Sequence, residues 1–303
     1  MQAVNKVTIA DLHMECGMID TSFFDKRLSA YKNDAFTNRD MWLQTVACDE
    51  VEEPPGEIIE QVKSATIVRT SEHQLCRYVR DQQTGKLATA FYYNRDYSEV
   101  RIHLWKGRNH PIFSLTDWEY IFTGAAFSNR LTQLGGAVLH GSSLAFEHQG
   151  IVFSANSGIG KSTHANLWKE RFGEDVVIVN DDKPAIRFYE GIPYIFGTPW
   201  SGKTDLNMNV RVPLKAVVFI RRSERNRIER LNARDSIFEL TAQIERPYYD
   251  SGLGLKTLER IENLVATVPV YRLHCNKSQE AVEVVYDEII AKRGFKYETG
   301  KRF

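Results

Sequence analysis

Over the first hundred residues, apolar and polar positions alternate in short runs. MWLQTVAC (41–48), ATIVRT (65–70), HQLCRYVRD (73–81), KLATAFYY (86–93) and SEVRIHLW (98–105) are rich in β-branched and aromatic residues. Turn signals such as DQQTGK and NRDYS lie between them, which predicts a small antiparallel sheet. EVEEPPGE (50–57) is acidic, carries two prolines and reads as a loop. The period then changes. In SLTDWEYIFTGAAFSNRLTQLGG (114–136) the apolar residues recur at helical spacing, with Ser114 or Thr116 as a cap and Gly135-Gly136 as a stop.

From residue 137 the pattern alternates. AVLHGSSLAF, GIVFSA, DVVIVN, IPYIFGTPW, PLKAVVFI and VPVYRLHC read as strands. KSTHANLWKERFG, ARDSIFELTAQI, LKTLERIENLVAT and the closing SQEAVEVVYDEIIAK read as helices. Strands interleaved with helices predict an α/β domain with a largely buried sheet. A boundary near 106–111 gives a β-rich domain over 1–110 and an α/β domain over 111–303, in keeping with the roughly two domains expected of 303 residues.

Composition narrows the function classes. Lys plus Arg number 39 and Asp plus Glu number 39, so the formal charge is zero. That argues against a protein that coats nucleic acid, and supplies no electrostatic reason for an anionic membrane partner. Cys16, Cys48, Cys76 and Cys275 are scattered, with no C-x-x-C pair, so a reducing compartment is expected rather than a disulfide framework or zinc site. The N-terminal stretch carries early acidic residues and no long apolar run, and no window of about 18 apolar residues occurs, so the reading is a cytoplasmic protein.

The candidate chemistry centres on VFSANSGIGKSTHANLW (152–168). The pattern G-x-x-x-x-G-K-[ST] binds phosphate because backbone N–H groups cradle it, the lysine reaches its oxygens and the hydroxyl binds Mg²⁺. The following helix adds the partial positive charge of its N-terminus. Here Ala155 replaces the first glycine, while Gly158 and Gly160 remain beside Lys161 and Ser162. Alanine fits at that place if its φ stays negative. The predicted phosphate contacts are Ser157, Gly158, Ile159, Gly160, Lys161, Ser162 and Thr163.

Asp181 and Asp182 end an apolar strand, where chemistry gathers in open α/β sheets. One can hold Mg²⁺ and the other can take a proton. Asn-Asp-Asp is also good turn chemistry, so a capped turn stands as the other reading. If Phe146 faces Ile151 in a hairpin, paired positions place His140 opposite Ser157, beside the loop. GTPWSGK (197–203) has two readings: Trp200 stacks on a base or substrate and Lys203 reaches a phosphate, or the segment is a packed turn with a solvated lysine. RRSERNRIER (221–230) reads as a solvated strand-turn-strand.

The order His-Gly at 140–141, a loop ending G-I-G-K-S, then paired Asp resembles the HPr kinase/phosphorylase family and its relatives with a phosphoenolpyruvate-carboxykinase-like nucleotide fold. The resemblance spans about 135–290. It implies a P-loop kinase domain using ATP and Mg²⁺, with Lys161 on the phosphates and Ser162 and Asp181 toward the metal. It also implies Asp182 as catalytic base and His140 as the active-site histidine. The family's Glu-x-Arg-Gly segment is absent, and FGTPWSGKTDLN (196–207) stands about where it would lie. The chain therefore looks more like divergent HPr-kinase-like proteins, some of which resemble peptide-modifying kinases. The expected acceptor is a hydroxyl, a serine in a peptide or protein, with a small molecule such as free serine as the alternative. A nucleotide-binding regulator without transfer activity is the third reading. The family forms oligomers, which extends the expectation to a homo-oligomer. The N-terminal domain would recognise the acceptor.

Overall fold

A computed structural model describes residues 4–291. Lys292, the last residue of the predicted closing helix, lies outside the described residues. The first half carries strands β1 (Val4–Ile9) and β2 (Leu12–Gly17), helix α1 (Thr21–Leu28), and strands β3 (Met41–Cys48), β4 (Glu57–Val62), β5 (Ala65–Arg69), β6 (Gln74–Arg80), β7 (Leu87–Asn94) and β8 (Glu99–Trp105). Helix α2 (Leu115–Gln133) follows, then β9 (Ala137–Val138), β10 (Gly141–Phe146), β11 (Gln149–Ser154), α3 (Lys161–Phe172) and β12 (Val176–Asn180). The chain continues through β13 (Ala185–Tyr189), β14 (Ile192–Phe196), β15 (Arg211–Arg222), β16 (Arg227–Arg230), α4 (Ala233–Gln243), α5 (Ser251–Thr267), β17 (Val270–Cys275) and α6 (Gln279–Tyr286).

The first eight strands form one sheet in the order β1-β2-β3-β8-β7-β6-β5-β4. It is mixed, not purely antiparallel as expected: β3 runs parallel to both β2 and β8. The β2–β3 pair comes from the β1–β2 hairpin and α1, which precede the strands read from the sequence, and the β3–β8 pair forms because the chain from β4 to β7 lies between those two strands in sequence but beyond β8 in the sheet. The hairpin turns at Ala10 and Asp11, both at positive φ. A primed two-residue turn demands that conformation, but without Asn-Gly or Asp-Gly it carries no turn signature. Helix α1 then crosses over and returns the chain parallel to β2, as a parallel pair requires.

The second sheet is the predicted α/β layer. Its main run is β12-β10-β11-β15-β17-β16, and β9, β13 and β14 join through the first residues of β15. Helices cover both faces, and period-2 alternation assigns each side chain. Phe153 and Val218 pack with Trp168 of α3 and Val285 of α6. Val152, Val217 and Phe219 pack with Leu240 of α4 and Ile261 of α5 on the other face. Each such fully buried side chain contributes about 1.5–3 kcal/mol. Because β12 and β11 are both antiparallel to β10, and β11, β15 and β17 are mutually parallel, four carboxyl ends meet at one edge.

Helix α2 begins as predicted. The Ser114 hydroxyl accepts the Asp117 N–H at 3.2 Å, and the Asp117 carboxylate accepts the Ser114 N–H at 2.8 Å. The boundary predicted at 106–111 falls between β8 and α2, yet the apolar core runs on across it. Phe91, Phe127 and Leu131 share one cluster with Phe196, Trp200 and Leu253. Fully buried Glu119 of α2 accepts the N–H groups of Ile19 at 2.6 Å and Asp20 at 3.0 Å, which fixes the start of α1.

Helix α1 in turn holds the segment 199–209. The buried Arg27 guanidinium donates to Pro199 O at 3.1 Å and Gly202 O at 2.9 Å, and faces the Asp205 carboxylate at 3.1 Å. The rings of Phe23 and Tyr120 flank it at 4.7 and 4.9 Å. Tyr31 adds a hydrogen bond to Asn207 at 2.8 Å. Removing the guanidinium leaves buried carbonyls and a half-buried carboxylate unmatched. Arg27→Ala is expected to lose about 3 kcal/mol of unfolding free energy in urea. Amide exchange over 200–205 should accelerate while β11 stays protected; an unchanged midpoint and exchange pattern would make the clamp dispensable.

Candidate active site

The stretch 155–160 leaves β11 at the centre of the shared edge and enters α3 at Lys161. Gly158 has φ +78° and Gly160 has φ +131°, and a Cβ at either would meet open space. The demand for glycine there is conformational, not steric. Ala155 is buried and keeps a negative φ, so the missing first glycine carries no backbone strain. A turn closes with Ile159 N–H donating to Asn156 O at 3.3 Å. Arg222, at the end of β15, donates to the carbonyls of Gly158 and Ile159.

Lys161 is the first residue of α3 and is only 8% exposed. Its ammonium donates to Ala155 O at 3.1 Å. Burial holds its pKa below the usual lysine value, against the opposing pull of Asp182 and Asp181. Ser162 is half-buried on the first turn, while Ser157 and Thr163 are exposed.

The two acids stand in different surroundings. Asp181 is 7% exposed, and its two oxygens accept the hydroxyls of Ser142 at 2.7 Å and Thr204 at 2.8 Å. The Asp182 side chain keeps 27% exposure and lies 3.4 Å from His140 Nε2. Fully buried Asn180 builds the turn that carries them. Its side-chain oxygen accepts the N–H groups of Asp182 at 2.9 Å and Lys183 at 2.6 Å. Its amide nitrogen donates to Thr198 O at 2.8 Å, tying the turn to the following loop.

His140 reaches the site by another route than the one expected. The run 137–146 is two strands, because β9 pairs with β13 while β10 pairs with β11 and β12. The hairpin register sets Phe146 opposite Gln149 and Gly141 opposite Ser154, two residues from the arithmetic above. The tighter turn at Glu147 and His148, both at positive φ, accounts for the shift. His140 thus adjoins the strand exit, where Ser154 donates to its carbonyl at 2.7 Å, not the loop tip at Ser157. Its Nδ1 meets Gln243 Oε1 at 3.1 Å, and Gln243 Nε2 donates to Asn156 at 2.8 Å. A continuous polar chain therefore runs Asp182, His140, Gln243, Asn156. Gln243 and Asn156 carry no sequence signal, since the last residue of α4 belongs to no motif and Asn156 fills a variable position of the loop pattern.

Trp200 is a correction. It is 2% exposed and stacked on Phe127 with centroids 4.7 Å apart, and its indole N–H donates to Thr123 at 3.2 Å. No ring face is left for a base or substrate, so the packed-turn reading holds. Lys203 is exposed, and its charge helps lower the pKa of Asp117 at the start of α2. Two open clefts flank the site. One, of about 480 Å³, is lined by His140, Asp182, Lys183, Gln243 and Glu245. The other, of about 410 Å³, lies beyond α3. Among the described residues, no three His, Cys, Asp or Glu side chains cluster as a metal site, and no helix is long and apolar enough to cross a membrane.

No family model and no curated protein matches the sequence. Among solved structures, one match is the Hpr(Ser) kinase/phosphatase from Coxiella burnetii, at 12% identity over 52% of this chain and 99% of that one, with a TM-score of 0.29. A likeness of that size leaves the function to be argued from the geometry.

His164, beneath the loop, generates a prediction about acid stability. Burial pushes its imidazole down from 6.5 to about 4. The unfolded chain takes up this proton near pH 6.5 while the folded chain stays neutral. Stability is therefore fully present above pH 6.5 and is lost as pH falls toward 4, by up to about 3 kcal/mol. Urea midpoints measured across that window should fall less steeply in His164→Leu, whatever that variant's absolute stability. An equal slope would show that this histidine does not carry the acid sensitivity.

Proposed function

We propose that the chain is a P-loop phosphotransferase that moves the γ-phosphate of ATP to a hydroxyl acceptor, a serine in a peptide or protein. One observation carries the reading: a two-glycine loop with a buried lysine at the helix start shares one sheet edge with a half-buried aspartate beside a histidine. Phosphate bound over the loop amides and Lys161 would sit before Asp182. The chemistry agrees with what the resemblance to HPr kinases implies.

Roles follow from the surroundings. Asp182, partly open to solvent, accepts the proton of the attacking hydroxyl. With Gln243 Oε1 facing Nδ1, that nitrogen carries the imidazole proton and Nε2 offers a lone pair to Asp182, a place for the proton to go next. Asp181 is held by two hydroxyls, each of which leaves lone pairs on its oxygen. Mg²⁺ uses one or two protein oxygens together with phosphate and water, and Ser162 and Asp181 fit that donor set. When bound, the ion would neutralise charge building on the phosphates.

The cleft beside Asp182 is open, which favours an extended acceptor over an enclosed metabolite. Acceptor recognition by the first sheet belongs to the same proposal. Strand β4 ends that sheet, with Ile58 and Ile59 exposed on an edge that an extended peptide can join.

The test adds γ-labelled ATP and Mg²⁺ to a cell extract split into macromolecular and small-molecule fractions. Label should enter polypeptide, and Asp182→Asn should slow transfer by about 10²–10⁴-fold with ATP still bound. Label only in a metabolite would replace the peptide acceptor, and ATP binding without transfer would leave a regulator. Once an acceptor is in hand, Ile58→Lys should raise its KM and leave that of ATP unchanged; an unchanged acceptor KM would remove β4 from the account.

A further inference from the structure

The end of α4 and the segment that follows it form one wall of the cleft of about 480 Å³ beside Asp182. That segment is held on both flanks. The Glu245 N–H donates to Val138 O at 2.9 Å, and the Glu245 carboxylate pairs with Lys183 at 2.5 Å. Tyr249 is 9% exposed, accepts a hydrogen bond from the Asn129 amide at 3.2 Å and lies 4.3 Å from the Arg77 guanidinium. The Asp250 carboxylate accepts the Tyr97 hydroxyl at 3.0 Å and caps the start of α5. Between these anchors stand Arg246, Pro247 and Tyr248, with Arg246 and Tyr248 exposed and Pro247 fixing its own φ.

The charges that line the cleft pair off with one exception. Asp182 faces His140 at 3.4 Å, and Lys183 is matched by Glu245. Arg246 lines the same cleft and has no carboxylate, hydrogen-bond or ring partner among the described residues. An arginine on a loose loop would be ordinary surface. Here the backbone on either side is tied to buried or paired groups, and the side chain shares a cleft with the aspartate of the site. A guanidinium presents a planar fork of N–H donors that fits a carboxylate through two parallel hydrogen bonds.

We infer that Arg246 binds a carboxylate of the acceptor, so that the hydroxyl presented to Asp182 belongs to a residue that carries or adjoins an acid. This rests on the phosphotransfer reading above and names the class of acceptor within it. Both groups enter one small cleft, which puts the acid on the hydroxyl's own residue or on its neighbour in the chain. That chemistry has two sources: an acidic side chain next to a serine, or the terminal carboxylate of a chain that ends in serine. Tyr248, two residues on, lies 4.6 Å from the Lys63 ammonium, in the turn that joins β4 to β5. The segment therefore also connects the cleft to the strand edge proposed above for an extended acceptor, with a second cation along the way.

The experiment follows labelling from γ-labelled ATP with Mg²⁺ in four alanine peptides, each with one serine. One has aspartate on both sides of the serine and its twin has asparagine there. Another ends in serine with a free carboxylate, and its twin has that terminus amidated. At least one acid-bearing peptide should show kcat/KM about 10–100-fold above its neutral twin. Arg246→Ala should remove that preference, and Arg246→Lys, which keeps the charge without the fork, should retain part of it. Arg246 is exposed, so the urea midpoint of both variants should stay in place, which separates lost recognition from lost fold. The pair that differs identifies the source of the carboxylate. Equal labelling within both pairs, or a preference that survives Arg246→Ala, would overturn the arginine site and leave phosphotransfer standing. If no peptide takes label, calorimetry on the same four decides. An acid preference in binding that Arg246→Ala removes would keep the carboxylate site and overturn phosphotransfer, and equal or absent binding would overturn both.

Discussion

One strand, β15, sets the geometry on which the rest depends. Over Arg211–Arg222 it pairs with β14 through its first residues, with β11 along its middle and with β17 toward its end. Its ladder with β11 places the 155–160 loop, and its ladder with β17 places the far wall of the cleft beyond α3. Its last side chain, Arg222, turns back onto the loop. Parallel pairing cannot be closed by a short turn, so each neighbour must return through a helix, and those helices cover both faces. The crowding of strand carboxyl ends at one edge is a result of that pairing.

Against this frame the acids are fixed by buried polar bonds. Asn180 carries their turn and binds it to Thr198, Thr204 reaches Asp181, and Arg27 holds the intervening segment from the other sheet. Each bond is modest in net value, but breaking one leaves a buried partner unmatched. The segment 198–207 is therefore tied to the acids on one side and to α1 on the other. The first half of the chain thus helps to position the acids through Arg27.

Asp181 and Asp182 stand in different surroundings. Two hydroxyls hold Asp181 in place, while Asp182 faces a histidine and an open cleft.

Much of this was legible in the chain. The loop, Lys161 and the acid pair are local motifs, and the two periodicities marked most strands and helices because burial on one face writes itself into spacing. The partners of those residues were not legible. Gln243 meets His140 across 103 positions, and Arg27 meets Gly202 across 175. The β1–β2 hairpin escaped because Ala10-Asp11 adopts a primed turn without its usual residues, and the placement of His140 moved by two because register depends on turn geometry. Trp200 is indistinguishable in sequence from a stacking residue until Phe127 and Thr123 are seen around it. Sequence alone determined the elements and the glycine-rich loop motif, since those rest on contacts between near neighbours. Which residues surround that motif was decided only by tertiary structure, because strand order and helix packing bring together positions that no local pattern connects.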